Sequence, residues 1–492
     1  MVSLIRKCSE QPIHCPVAAR RLSKEAVSFI VVLFVLNMGA LPLGARAACP
    51  MKGPELPVGP VMEVASGQEL AVAVRSGAKN IVVLPGKYVV PGRGIVIKGS
   101  NVTIRGKTGN RDDVWITGGG PQGRATHVFL VQGANFVARD MTLGSVKQHV
   151  IQVQGENGAD SPLFHNLRIL NAGQQLLKVT GRPEKGVSHN GIVTDSLFEF
   201  TDGVGYQYYT GGIDAHATIG WVVRGNIFRN IRSPDQGLAE HAIHFWSNAA
   251  NTVVERNIII NADRGIGFGL GKQKGHDGGV IKNNFVHVTR DVGIGLESSP
   301  NTSVAHNTVV TTNYPNAIEY RFSKTKNVSI AYNLTNSRIA SRNGGAASLT
   351  DNIDYAQLNW FKDAAAGDLH LNFGVSVVKG AAMATPGIKE DIDCDLRDPN
   401  KPVDIGADQS DLPTDMSIKI ERPNRVISNV SAIVDQTVTK SASLLSPMVK
   451  SKIFLVGGLI GLIAIAVLSY VLFAVLSELR GIRHAIERQN RS

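Results

Sequence analysis

One pattern recurs often enough to dictate the fold: apolar-x-apolar, two polar residues, a small polar residue, then a second apolar stretch. It reads Val102-Thr-Ile-Arg-Gly106, Phe136-Val-Ala-Arg-Asp140, Leu163-Phe-His-Asn166, Ile192-Val-Thr-Asp195 and Val222-Val-Arg-Gly-Asn226, and continues through Asn257, Asn284, Asn307 and Asn333. A period in the twenties to thirties with two-residue alternation means coils stacked into a solenoid, each burying its apolar residues against its neighbours. The recurring Asn or Asp has its own physical reason. Side-chain amides stacked at one corner can hydrogen-bond along the stack, and Asn tolerates the left-handed backbone that a corner needs. Composition agrees, because 51 glycines and only 6 % aromatics suit many short strands joined by tight turns. A length of 492 residues does not divide such a chain, since a solenoid grows coil by coil.

The ends differ from the middle. The formal net charge is +11, but part of the excess sits in Arg6, Lys7, Arg20, Arg21 and Lys24 at the front and Arg480, Arg483, Arg488 and Arg491 at the back. The mildly basic centre argues against nucleic acid and leaves an acidic polysaccharide as partner. A basic front, an apolar run from Ala26 to Leu43 and Ala45-Arg-Ala47 predict a secretory signal over 1–47. Ser66-Gly-Gln-Glu69 has the capping-box pattern, with Leu70, Ala71, Val74 and Ala78 following at helical spacing, which predicts a short helix capping the solenoid. The solenoid is expected over 62–375, a closing segment over 376–410 and a polar stalk over 411–450. An apolar run over 453–477 is long enough to span a bilayer at about 20 residues, and 478–492 is a basic tail. These features predict a single-pass cell-membrane protein whose solenoid lies on the extracytoplasmic, periplasmic side. The four cysteines, Cys8, Cys15, Cys49 and Cys394, show no metal-type spacing, and Cys394 has no evident partner.

The repeated Val-x-x-Asn coils and the capping helix resemble the right-handed parallel β-helix proteins of the pectate-lyase-like superfamily, over roughly residues 62 to 375. The segment Asp391-Ile-Asp-Cys-Asp-Leu-Arg397 with Pro402-Val-Asp-Ile-Gly-Ala-Asp408 is similar to the closing segment of secreted bacterial members. The resemblance implies an all-β, right-handed parallel β-helix. It implies little about the reaction.

A second strand in each coil aligns on its inward pair: Phe129/Val131, Ile151/Val153, Leu177/Val179, Ile213/Ala215, Ile243/Phe245, Ile266/Phe268, Ile294/Leu296 and Ile318/Tyr320. The residues between these pairs form an outward column that includes Lys178, Asp214, His244, Gly267, Gly295 and Glu319, and those after them a column that includes His216, Trp246, Gly269, Glu297 and Arg321. A third column, ahead of the pairs, contributes His127, His149, His241 and Arg264. Asp214, His216, His241, His244, Trp246 and Arg264 therefore crowd onto neighbouring rungs, with Gly267, Gly269 and Gly295 expected to leave a clear shelf for a sugar ring.

This set suits β-elimination of a uronate polymer, which needs a cation for the carboxylate, a base for the C5 proton and help for the leaving oxygen. Arg264 or Lys178 would neutralise the carboxylate. His216, His241 or His244 would be the base, with Asp214 orienting a histidine and Trp246 stacking on the sugar. Glu297, Glu319 and Arg321 would extend the substrate contacts, although Glu297 and Arg321 read equally well as a surface ion pair. Hydrolysis by Glu297 and Glu319, epimerisation on the same face, and glycan binding without catalysis are the alternatives. No metal or other cofactor is expected, calcium being the one ion left open; Asp214, His216 and His244 could approach one ion, but alternate columns diverge. Asp263 reads as a turn residue, and Lys272, Lys274 and His276 as members of a solvated Gly-rich loop that could also wall one side of a groove.

Overall fold

The computed structural model describes residues 53–415 and Ile420. The predicted signal, the stalk beyond residue 415 apart from Ile420, the membrane span at 453–477 and the basic tail lie outside the described residues. Among the described residues no helix is long and apolar enough to cross a membrane.

The coils form a right-handed parallel β-solenoid, with one 20-stranded, one 10-stranded and one 4-stranded sheet, all paired in parallel. The long strands Val137–Val146 and Leu163–Ala172 run unbroken round a corner and merge two faces into the 20-stranded sheet. Each coil sends its apolar side chains into one interior, from Val64 to Ile330. A helix, Gly67–Arg75, packs Leu70, Ala71 and Ala73 into the same core. Its start is held by Ser66 Oγ, which accepts from Glu69 N at 3.1 Å, while Glu69 Oε2 accepts from Ala65 N at 2.8 Å.

The ten-stranded sheet keeps the inward pairs in register along the stack, Leu177↔Ile213↔Ile243↔Ile266 among them. Ahead of each pair the phase of alternation reverses. Val128 and Phe129, Leu176 and Leu177, and Ala242 and Ile243 all point inward as consecutive residues. Such a two-residue step is bulge-like: the N–H groups of Val128 and Phe129 both donate to Val150 O. The reversal turns the preceding side chain, His241 in one coil, back to the outer face.

The amide ladder is Asn226, Asn257, Asn284, Asn307, Asn333 and Asn352, each Nδ2 donating to the next Oδ1 at 2.8–3.0 Å. Its left-handed residue is the one before the amide: Gly225, Arg256, Asn283, His306 and Tyr332 all have φ between 51° and 66°. Thr194 pairs with Arg224, which sets Asp195, at φ 52°, level with the corner residue Gly225, so Ser196, whose N–H donates to Asn226 Oδ1, is the true start of the ladder. The expectation that one residue serves both roles is thus corrected by one position.

The last parallel strand is Ala347–Thr350. From Ile353 the chain folds along an outer flank of the coils, where Trp360, Phe361, Leu369, Val375, Val378 and Ile405 cover Ile258, Ile260, Phe285 and Leu334 in a second core. Arg397, buried, donates to Asp404 O and Gly406 O. Cys394 is disulfide-bonded, contrary to the expectation of a thiol without a partner. The other cysteines are at 8, 15 and 49, so its partner lies outside the described residues.

Candidate functional site

Four neighbouring strands of the ten-stranded sheet, Gln175–Thr180, Gly211–His216, Ile243–Trp246 and Ile266–Phe268, place Lys178, Asp214, His244 and Gly267 in one row and His216 beside Trp246. This outward face is not bare. Asp214 is 2 % exposed, His244 1 %, His241 7 % and Lys178 8 %.

Asp214 is the hub of the row. Lys178 Nζ lies 2.6 Å from its Oδ2, and Trp246 Nε1 donates to its Oδ1. Burial alone would raise the Asp214 pKa, but the Lys178 charge and these two hydrogen bonds outweigh it and hold the carboxyl below its ordinary value. Asp214 is therefore an ionised positioning group for Lys178 and the indole.

His244 Nε2 donates to Gly269 O at 3.0 Å, since a carbonyl oxygen can only accept. His241 lies against it with ring centroids 4.5 Å apart and the planes tilted by 40°. The His241 ring also fills the space over Gly267, where an added Cβ would lie 2.8 Å from Cδ2 and Nε2. The expected glycine shelf is thus occupied: His241 covers Gly267, and Gly269, at φ +78°, lies against Glu297 O. Burial pushes the His241 imidazole well below its ordinary pKa, with His244 and Arg264 adding to the effect, so it is neutral.

His216 is half-buried at the rim, 5.3 Å from the Trp246 ring. Burial first, then the Lys178 charge, lowers its pKa, which leaves a neutral base next to solvent. Lys274 Nζ also sits by the indole, 5.1 Å from the ring centroid and within cation–π range. Lys274 is carried by the turn that Leu270 N closes onto Lys274 O. That turn brings Lys274 to Trp246 while leaving it exposed, as expected of the solvated loop, whereas His276 of the same loop is buried, contrary to expectation.

Two further groups were not singled out in the sequence. Glu240 stands just ahead of the strand Ile243–Trp246, Oε2 3.7 Å from His244 Nδ1 and 3.8 Å from Arg264 Nη2. Its loop is pinned by the buried Asp263, which accepts from Ser233 N and Ala239 N at 3.0 Å, while Arg264 Nε donates to Ala239 O. Tyr209, also half-buried, has a phenol pKa raised by burial and by Asp214 and Glu240. The only sequence signal for Glu240 was its place in Glu240-His-Ala-Ile-His244 and Tyr209 had none, whereas Lys274 was marked only as a member of the Gly-rich loop.

The carboxylates suggested for hydrolysis are committed elsewhere. Glu297 pairs with Arg321 at 2.6 Å and also accepts from Gly271 N. Glu319 accepts from Tyr314, Asn316 and Arg342. His127 and His149 are buried near each other, and burial lowers the His149 pKa to about 3. The Asp214, His216 and His244 set does not make an ion site, because both Asp214 oxygens are engaged. Calcium, which takes six to eight oxygen ligands, does not fit a face whose uncommitted donors are one carboxylate and imidazole nitrogens.

No family model matches the chain, and no curated protein matches it. Among solved structures it is similar to pectate lyase Pel9A, at 12 % identity and TM-score 0.52, over 74 % of this chain and 100 % of that one. It is also similar to the A-module of the Azotobacter vinelandii mannuronan C-5 epimerase AlgE6, at 14 % identity and TM-score 0.39 over 58 % and 87 % of the two chains. A third similar structure is an alginate lyase from Paenibacillus sp., at 12 % identity and TM-score 0.35 over 52 % and 94 %. Identities this low speak to the fold alone, and the fold is that of a pectate-lyase-like parallel β-helix.

Proposed function

We propose that the protein acts on an acidic, uronate-containing polysaccharide by β-elimination, with its solenoid on the extracytoplasmic side and its carboxy-terminal apolar segment in the membrane. The observation that carries the reading is a neutral imidazole, His216, at the rim of a face where an indole and a lysine stand ready for an anionic sugar. Trp246 stacks on the ring, and Lys274 neutralises the carboxylate, which acidifies the C5 proton. His216 takes that proton, the electron pair forms the C4=C5 double bond, and the C4–oxygen bond breaks. Tyr209, kept protonated by burial and by its acidic neighbours, supplies the proton to the departing oxygen. Lys178 and Asp214 hold the indole in place. The disulfide at Cys394 supports an oxidising compartment. The likeness to a pectate lyase supports a glycan of this class.

The test is incubation of the purified chain with a panel of uronate polymers, following the ultraviolet absorbance of an unsaturated end. The expected result is product from at least one polymer, with His216→Ala slower by about 10²- to 10⁴-fold. Reducing ends without absorbance would mean hydrolysis, and altered C5 configuration without cleavage would mean epimerisation. Binding with no product, unchanged in His216→Ala, would leave a glycan-binding protein. Each of these three results overturns the elimination reading.

A further inference from the structure

We propose that Glu240, His241 and His244 form a binding site for one divalent transition-metal ion of the zinc class. Each residue offers one ligand atom, and the three atoms lie within 4.8 Å of one another. Tetrahedral zinc with bonds of about 2.0–2.1 Å places its ligand atoms roughly 3.4 Å apart. The separation of His244 Nδ1 from Glu240 Oε2, 3.7 Å, is already near that value.

Two independent features point to an ion rather than a chance meeting of side chains. The Nδ1 atoms of both His241 and His244 are buried without a hydrogen-bond partner among the described residues. A buried polar atom left unpaired forfeits its hydration with nothing in return, so two on adjacent rings call for a common partner. The second feature is the orientation of His244. Its Nε2–H is held by Gly269 O, which directs the other nitrogen toward Glu240. A ligand histidine anchored by a backbone carbonyl is the usual arrangement around protein-bound metals.

The donor set selects the ion class. Two imidazoles and one carboxylate suit zinc and its first-row neighbours, not calcium or magnesium. Three protein ligands leave a fourth position for water or an anionic oxygen, as in sites that take part in chemistry. The surrounding charges are compatible. Arg264 Nη2 stays 3.8 Å from Glu240 and anchors its Nε on Ala239 O, while Lys178 is neutralised by Asp214. The second cluster of this kind, His370, Asp393 and Asp408, is different: Asp368 and Asp393 engage both ring nitrogens of His370, so the imidazolium itself is the cation there.

The site stands whether or not the elimination reading holds, because its test reads binding alone. The full chain, stripped with a chelator, would be titrated calorimetrically with zinc and separately with calcium. One zinc per chain is expected, with calcium at least 100-fold weaker, and cobalt in place of zinc should give the visible absorption of a tetrahedral centre. His244→Ala and the nearly isosteric Glu240→Gln should each weaken zinc by 10-fold or more, whereas His370→Gln should change it less than twofold. Circular dichroism and the metal-free thermal midpoint would verify that Glu240→Gln folds. Absence of zinc binding, binding unaffected by Glu240→Gln and His244→Ala, or loss of binding in His370→Gln would each overturn the proposal.

Discussion

Replacing Lys178 with methionine tests whether the buried pair with Asp214 holds the candidate site together. The two groups are 2.6 Å apart, 8 % and 2 % exposed, and methionine keeps most of the lysine volume. Removing one partner of a buried pair strands the other, at a cost of about 3–5 kcal/mol. Asp214 would keep the Trp246 indole N–H, which places the expected loss near the lower end, about 3 kcal/mol. Adding Asp214→Leu removes the stranded charge, and the double variant should recover about 2 kcal/mol relative to Lys178→Met. Reversible urea denaturation followed by tryptophan fluorescence gives all four corners of the cycle. A loss below about 1 kcal/mol for Lys178→Met, or a double variant as unstable as the sum of the single ones, would refute the claim that the pair is dry and mutually dependent.

The flank offers a pH test. Burial alone would lower the His370 pKa, but the hydrogen bond and charge of Asp393, the hydrogen bond of Asp368 and the charge of Asp408 raise it to about 9, so the stability it contributes is complete below about pH 6.5 and is lost as pH rises through 9. On the order of 3 kcal/mol at most should disappear between pH 6 and 10 in urea midpoints, and His370→Gln should flatten that change. Asn284 donates to Val254 O, Lys282 O and Asn307 Oδ1 and accepts from Asn257. Asn284→Ala should therefore cost about 3 kcal/mol or more, against under about 1 kcal/mol for the exposed Asn301→Ala, both read from thermal unfolding. Gly267→Ala should cost about 1–3 kcal/mol, because its Cβ would lie 2.8 Å from the His241 ring, and Gly295→Ala, with its nearest atom at 3.3 Å, should cost less.

The coils and their register were legible because burial acts at every rung. A shift of one residue would send Ile213, Ile243 and Ile266 to the outer face together. The ladder amide was legible as a repeat but not in phase at every coil. Asp195 and Asn226 look equivalent in sequence, and only the pairing of Thr194 with Arg224, which sets Asp195 level with Gly225, separates the left-handed corner from the buried amide. The rows Lys178, Asp214, His244 and His216, Trp246 follow from the register, yet the open glycine shelf was not there, since the swing of the His241 ring over Gly267 leaves no mark in a pattern of residue types.

What the sequence by itself determined is the solenoid: its coils, its inward pairs and the row that brings Lys178, Asp214 and His244 together, all consequences of a local two-residue alternation repeated until no other arrangement buries the apolar residues. Only the tertiary structure decided which outward groups lose water and what they meet. Lys274 reaches Trp246 because a turn one coil further on folds back over it, and Glu240 reaches His244 because Asp263 pins the loop before it. The physical reason is that burial and charge pairing on this face come from segments far apart in the chain, whose approach depends on loop closure rather than on any periodicity along the strand.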